Sequence, residues 1–153
     1  MNVSFPPVRR ALQGVLTGLI LSAGMVQADQ FVSYGDYEVH YNAFNSTFVE
    51  PEVAQSYGLT RSKTLALVNV SVLQKASDGS KTPVTAIVKG SASNLLGQIS
   101  NISFKKIEET GALYYIGGLP FANDQLMRIA LDVQPDPNQP AYSIQFEQTF
   151  YAE

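Results

Sequence analysis

Cysteine is absent from this chain, and histidine occurs once, as His40. Without cysteine there is no disulfide framework, no lipid-anchored lipoprotein state and no thiolate nucleophile or ligand. A single imidazole leaves one base and one nitrogen ligand for any site the chain builds. No G-x-S-x-G elbow and no glycine-rich phosphate loop appear either, so the motifs of hydrolases and nucleotide-binding enzymes are missing. Basic charge is scarce: ten Lys and Arg stand against 13 Asp and Glu, and no basic block exceeds the pair Lys105–Lys106. Nucleic acid and anionic lipid both require a basic patch, so neither is an expected partner. There is no internal repeat and no low-complexity tract.

The start of the chain is a segment apart. "MNVSFPPVRR" carries Arg9 and Arg10 and no acid, an apolar run follows over residues 11–25, and "VQA" then precedes Asp29. A charged start, a short apolar middle and small residues at Val26 and Ala28 form the pattern of a secretory signal peptide. The run falls short of the roughly 20 apolar residues a span needs, and Gly14, Gly18 and Gly24 weaken it further. Residues 1–28 are therefore expected to be removed. That leaves residues 29–153 as one periplasmic or secreted domain without a stable membrane span. Its size suffices for a core without covalent staples. With Arg9 and Arg10 gone, eight basic residues face all 13 acids.

The remainder reads with a period of two. In "YGDYEVHYNAF", Tyr37, Val39, Tyr41 and Ala43 alternate with Glu38, His40 and Asn42, the signature of a half-buried strand. "KTLALVNVSVL" (63–73) is apolar on one face at Ala66, Val68, Val70 and Val72. Its other face is mixed, which predicts a central strand covered on both sides over part of its length. "ASDGSK", "ETG", "AND" and "PDPNQP" are turn signals between further strands. In "ALYYIGGLPF" the pair Gly117–Gly118 predicts a bulge or a close backbone approach. One stretch departs from this period: "FVEPEVAQSYG" places Pro51 at a first helical turn, acids nearby and Gly58 at a stop, so residues 50–57 are predicted helical. The whole predicts an all-β chain: a single immunoglobulin-like antiparallel β-sandwich of about seven strands, with one short helix between strands 1 and 2.

Three groups of residues bear on function. Asp36, Glu38 and His40 sit at i, i+2 and i+4 of a predicted strand, on one face at about 7 Å intervals. Their types suit zinc or manganese, but the intervening Tyr37, Val39 and Tyr41 make them the outward face any such strand must have. The expectation is therefore a solvated face and no cofactor, with these three as the metal candidates. Glu108–Glu109 and Asp132–Asp136 flank turns and read as solvated. The second group follows Ala43, where Asn45, Ser46 and Thr47 break the alternation into a corner. Asn45 with Tyr57 and Arg61 forms a candidate recognition surface on that corner. The third comprises the N-x-[ST] triplets at Asn45, Asn69 and Asn101. Asn69 lies inside an apolar strand closed to glycosylation after folding, and none of the three is read as modified.

The stretches "GDYEVHYNAFNSTFVEPEVAQSYGLTRSK", "LVNVSVL", "NLLGQ", "YYIGGLPFAND" and "FEQTFYAE" closely resemble domain-of-unknown-function family 4426, small exported proteins of gammaproteobacteria. The resemblance spans essentially all of residues 29–153. It implies one exported β-rich domain and supplies no catalytic residues.

Together these readings predict a non-catalytic exported binding or accessory module of the cell envelope, with an envelope protein as partner. The alternative is a small-ligand or metal-binding periplasmic protein using the Asp36–Glu38–His40 face. Intact-mass measurement of protein from the periplasmic fraction should show a chain beginning at Asp29; a chain retaining Met1 would contradict the export reading.

Overall fold

The computed structural model describes residues 30–153; the expected signal peptide, residues 1–28, lies outside them. Ten strands among the described residues form two antiparallel sheets. The larger sheet contains β1 (Gln30–Tyr34), β2 (Tyr37–Asn45), β3 (Leu65–Lys75), β8 (Ala112–Pro120) and β7 (Phe104–Glu109) in that spatial order, with β4 (Lys81–Pro83) also paired to β3. The smaller runs β10 (Tyr142–Phe150), β9 (Gln125–Gln134), β5 (Ile87–Ser93) and β6 (Ile99–Ile102). One helix, α1 (Pro51–Tyr57), follows a 3-10 turn at Ser46–Phe48. This is the expected antiparallel, immunoglobulin-like sandwich with its short helix between β2 and β3.

Every expected strand segment is present, two of them divide, and one further strand, β1, precedes the first. β1 joins β2 in a hairpin, because Gly35 takes a positive φ of 56° and turns the chain at Gly35–Asp36. The two divided segments split by changing sheets. "KTPVTAIVKG" pairs with β3 as β4, crosses at residues 84–86, and continues in the smaller sheet as β5. "ISNISFKKIEE" leaves β5 as β6, crosses at Ser103, and joins β8 as β7. Period-two patterning does not register a change of sheet, because one face stays apolar throughout. The first crossing is tied down by the Ala86 amide, which donates to Tyr115 Oη at 2.9 Å.

Alternation places Val39, Ala43, Val68, Val70, Val72 and Leu119 of the larger sheet against Met127, Ile129, Leu131, Val133, Ile144 and Phe150 of the smaller. Each fully buried aliphatic side chain of this kind contributes about 1.5–3 kcal/mol. Tyr41 is part of this layer, its ring 5.0 Å from that of Phe146. A second cluster lies on the outer face of the larger sheet, where Val49, Ala54, Leu67, Ile107 and Ile116 pack under α1. The helix ends as expected, with Gly58 at φ 64° as its cap. β3 is thus covered on both sides at Leu67.

The predicted close approach at Gly117 is real. A Cβ there would meet Ile102 Cγ2 and stand 2.9 Å from the Ser103 carbonyl, the point where the chain crosses between sheets. Gly117→Ala should therefore cost about 1–3 kcal/mol, the usual range for overpacking. Urea denaturation checks this, and a neutral substitution would contradict the close approach.

Candidate functional site

The outer face of the larger sheet carries most of the polar chemistry. Antiparallel register sets Phe31, His40 and Ser71 side by side, and likewise Glu38, Leu73 and Pro83. Asp36 is not among them. It belongs to the hairpin turn, where its carbonyl accepts the Lys75 amide at 2.7 Å, so the expected three-residue alternation ends at Glu38. Glu38 corrects a second expectation: it lies on the outward face yet is only 4% exposed. Lys81 explains this. From β4, beyond the intervening β3, its Nζ lies 3.0 Å from Glu38 Oε2 and 3.2 Å from Oε1. His40 Nε2 stands 2.5 Å from Glu38 Oε1, and the imidazole stacks on Phe31 with centroids 5.2 Å apart. The single histidine is thus a positioned partner of a buried carboxylate. Among the described residues, no three His, Cys, Asp or Glu side chains form a group that could hold a metal ion.

Beside His40 the face sinks into a cavity of about 190 Å³. It is lined by His40 and Asn42 of β2, Asn69, Ser71 and Leu73 of β3, Pro83 of β4, and the turn and strand at residues 111–114. The opening follows from the pairing of β3. Residues Leu65–Val70 pair with β8, and Leu73–Lys75 pair with β4, so no strand lies along Ser71 and Val72 on that edge. Asn42 and Asn69 face each other across β2 and β3. Each buries a side-chain carbonyl oxygen that has no hydrogen-bond partner in the protein. Sequence reasoning passed over both, reading Asn42 as surface and Asn69 as a discarded glycosylation triplet. An asparagine inside a valine-rich strand was the available signal.

The corner residues take other roles. Asn45 is buried and donates from Nδ2 to the Tyr151 carbonyl at 2.7 Å, so it fastens the C-terminal tail and is not part of an exposed recognition surface. Tyr57 packs in the cluster under α1, and its carbonyl accepts from Lys105 Nζ at 2.5 Å. Arg61 is exposed and donates to the Thr47 carbonyl at 3.1 Å. Arg61 is thereby held at the corner, at Thr47 two residues from Asn45, but the Asn45 side chain itself is turned inward.

A different feature went unnoticed in the sequence. The β5–β6 hairpin ends in "NLLGQI", where Leu95, Leu96 and Ile99 are 70%, 84% and 72% exposed. Its turn is well formed: Asn94 Oδ1 accepts the amides of Leu96 and Gln98, both at 3.0 Å, and Gly97 takes φ 77°. The leucines are therefore presented by an ordered turn.

The chain matches the family described as Domain of unknown function (DUF4426) over residues 31–153. It belongs to the DUF4426 family. A crystal structure of a DUF4426 family protein from Pseudomonas aeruginosa is similar at TM-score 0.71 and 32% identity, covering 84% of this chain and 99% of that one. A copper-bound glutamate-to-glutamine variant of FetP from uropathogenic Escherichia coli shares the fold at TM-score 0.56 and 11% identity, covering 82% and 97% of the two chains. FetP as isolated, after expression in the Escherichia coli periplasm, gives TM-score 0.52 and 10% identity over 82% and 95%. No curated protein matches the chain. Among the described residues of this DUF4426 protein, no helix is long and apolar enough to cross a membrane.

The Glu38 cluster has a pH signature. The Lys81 hydrogen bond, then that of His40, holds the Glu38 carboxyl below its ordinary value of 4.5, against the upward push of desolvation. A carboxyl lowered in the folded state stabilises the fold above its ordinary value and loses that contribution as pH falls through the lowered one. The gap in urea midpoint between wild type and Glu38→Gln should be complete at pH values well above 4.5 and close as pH falls below that value. A gap that widens on acidification would contradict the arrangement.

Proposed function

We propose that this DUF4426 protein is a non-catalytic exported module of the cell envelope that binds a protein partner through the tip of its β5–β6 hairpin. The observation that carries the reading is the exposure of Leu95, Leu96 and Ile99 on an ordered turn. Clustered large apolar side chains held in water by a rigid scaffold mark interaction surfaces. β6 also supplies a free edge, since it ends the smaller sheet. An open edge beside an apolar turn suits an extended segment of another protein, which gains main-chain hydrogen bonds and side-chain burial together. The export component is supported by the charged, apolar and small-residue pattern of residues 1–28.

The non-catalytic component is supported by the use made of the few reactive groups. His40 holds Glu38, and Asp132 accepts from Ser143 Oγ at 2.7 Å. Glu108 lies at the surface 3.2 Å from Lys106 Nζ.

Chemical crosslinking in native envelopes should give a discrete adduct with wild type. The double substitution Leu95→Asp, Leu96→Asp should abolish it while leaving the thermal midpoint within about 1–2 °C, since surface changes are usually near neutral. Survival of the adduct in the variant would sink the hairpin as the site. The same adduct from purified protein alone would show self-association in place of a partner.

A further inference from the structure

Four of the chain's eight tyrosines, Tyr34, Tyr37, Tyr41 and Tyr142, lie along the seam where β1 and β2 of the larger sheet face β10 of the smaller. This seam has no part in the reading above. β1 ends the larger sheet and β10 ends the smaller, so no ladder joins them. The chain has no cysteine, so no disulfide joins them either. Side chains close this side of the sandwich.

One pair there is unusually tight. The rings of Tyr34 and Tyr142 stack with centroids 4.1 Å apart and planes 9° from parallel. Aromatic neighbours ordinarily stand about 4.5–7 Å apart and avoid so direct an overlap. Ring carbons lie close to their centroid, so at this separation an ortho carbon of each ring approaches one on the other, whichever way the hydroxyls point. Tyr34 Oη donates to the Ser143 carbonyl at 3.5 Å, which holds its ring against β10. Other pairings are worse placed. Tyr37 stands 6.5 Å from Tyr142 at 50°, and the ring beside Tyr41 is Phe146, which has no hydroxyl. Burial first, then the phenols of Tyr41 and Tyr142, push the Tyr34 hydroxyl above its ordinary value of 10.0. Tyr34 therefore meets an oxidant as the neutral phenol, which loses a hydrogen atom. Both residues are half-buried, open to a small radical on one side and screened from a second protein molecule where they face each other.

We propose that Tyr34 and Tyr142 form an oxidative cross-linking site, at which peroxyl radicals join the two rings into a biphenol and close the seam covalently. Each of two peroxyl radicals takes one hydrogen atom, electron and proton together, from a phenolic hydroxyl and leaves as a hydroperoxide. The two tyrosyl radicals then pair their ortho carbons in a new C–C bond. The hydrogen on each of those carbons moves to the oxygen and restores both phenols. β1 is held in its sheet by β2 alone, so it follows Tyr34 towards β10 as the bond forms. The link encloses most of the domain, and a cross-link across so long a loop restrains the unfolded chain strongly.

The test exposes dilute purified protein to peroxyl radicals from a water-soluble azo initiator. Biphenol fluorescence should rise in the monomer. Tryptic mass spectrometry should find the peptides of Tyr34 and Tyr142 joined and lighter by two hydrogen atoms. Tyr34→Phe and Tyr142→Phe should each cut the fluorescence at least tenfold, whereas Tyr37→Phe should leave it near wild type. Should either of the first two fail to fold, wild type unfolded in urea replaces it, with the same loss of the joined peptide expected. The cross-linked form should melt at least about 5 °C above untreated protein. Absence of fluorescence where free N-acetyltyrosinamide couples overturns the proposal. Equal fluorescence in Tyr34→Phe, or coupling only between molecules through the exposed Tyr151, overturns it as well. A cross-linked form that melts no higher than untreated protein overturns the closing of the seam.

Discussion

Strand β3 is long enough to need two partners on one edge, and the architecture of the larger sheet follows from how they divide it. β8 takes residues Leu65–Val70 and β4 takes Leu73–Lys75. Across the break, only the Val84 amide reaches β3, donating to the Val72 carbonyl at 3.0 Å. β4 contributes just three residues to the sheet, too few to hold themselves by ladder bonds. The Lys81–Glu38 pair supplies the missing restraint by tying β4 to β2 over the intervening strand. That restraint requires a carboxylate out of water, which only a paired arrangement makes tolerable. The same break leaves room beside Ser71, and there the outer face opens into the cavity between Asn69 and Leu113.

The hairpin tip and the paired asparagines are built on opposite logic. The hairpin tip projects apolar side chains outward from a stiff turn, whereas Asn42 and Asn69 bury polar ones in an apolar sheet. Either inversion costs stability locally, and neither contributes to the core between the sheets. Departures of this kind, where local sequence disagrees with its surroundings, are where binding is normally found. The likeness to FetP extends to fold alone.

Much of the fold was legible from periodicity. Val39, Tyr41 and Ala43 do face the core, and Pro51 and Gly58 bound the helix as their backbone preferences dictate. What period two does not encode is the identity of the sheet that a strand joins, so the crossings at residues 84–86 and at Ser103 were invisible. Glu38 was misread for a related reason. Its position in the alternation is outward, but its burial depends on Lys81, which lies 43 residues later in the chain. Asp36 looked like part of the same face because a glycine turn and a strand both permit polar residues. The candidate site was least legible, since its signal is the absence of a partner for Asn69, and an absence of that kind exists only in three dimensions.

The two crossings at residues 84–86 and Ser103 have a kinetic meaning. A sandwich whose sheets are separate in sequence forms them in turn, each as an intermediate with its own pairing. Here the continuous segment from Lys81 to Glu109 belongs to the larger sheet at both ends and to the smaller in the middle. Neither sheet completes before the other, because the β5–β6 hairpin cannot dock on β9 without dragging β4 and β7 towards β3 and β8. The segment therefore couples the formation of the two sheets, and pairing between strands distant in sequence slows folding. Such coupling shortens the time during which an open β-edge is offered to neighbouring chains.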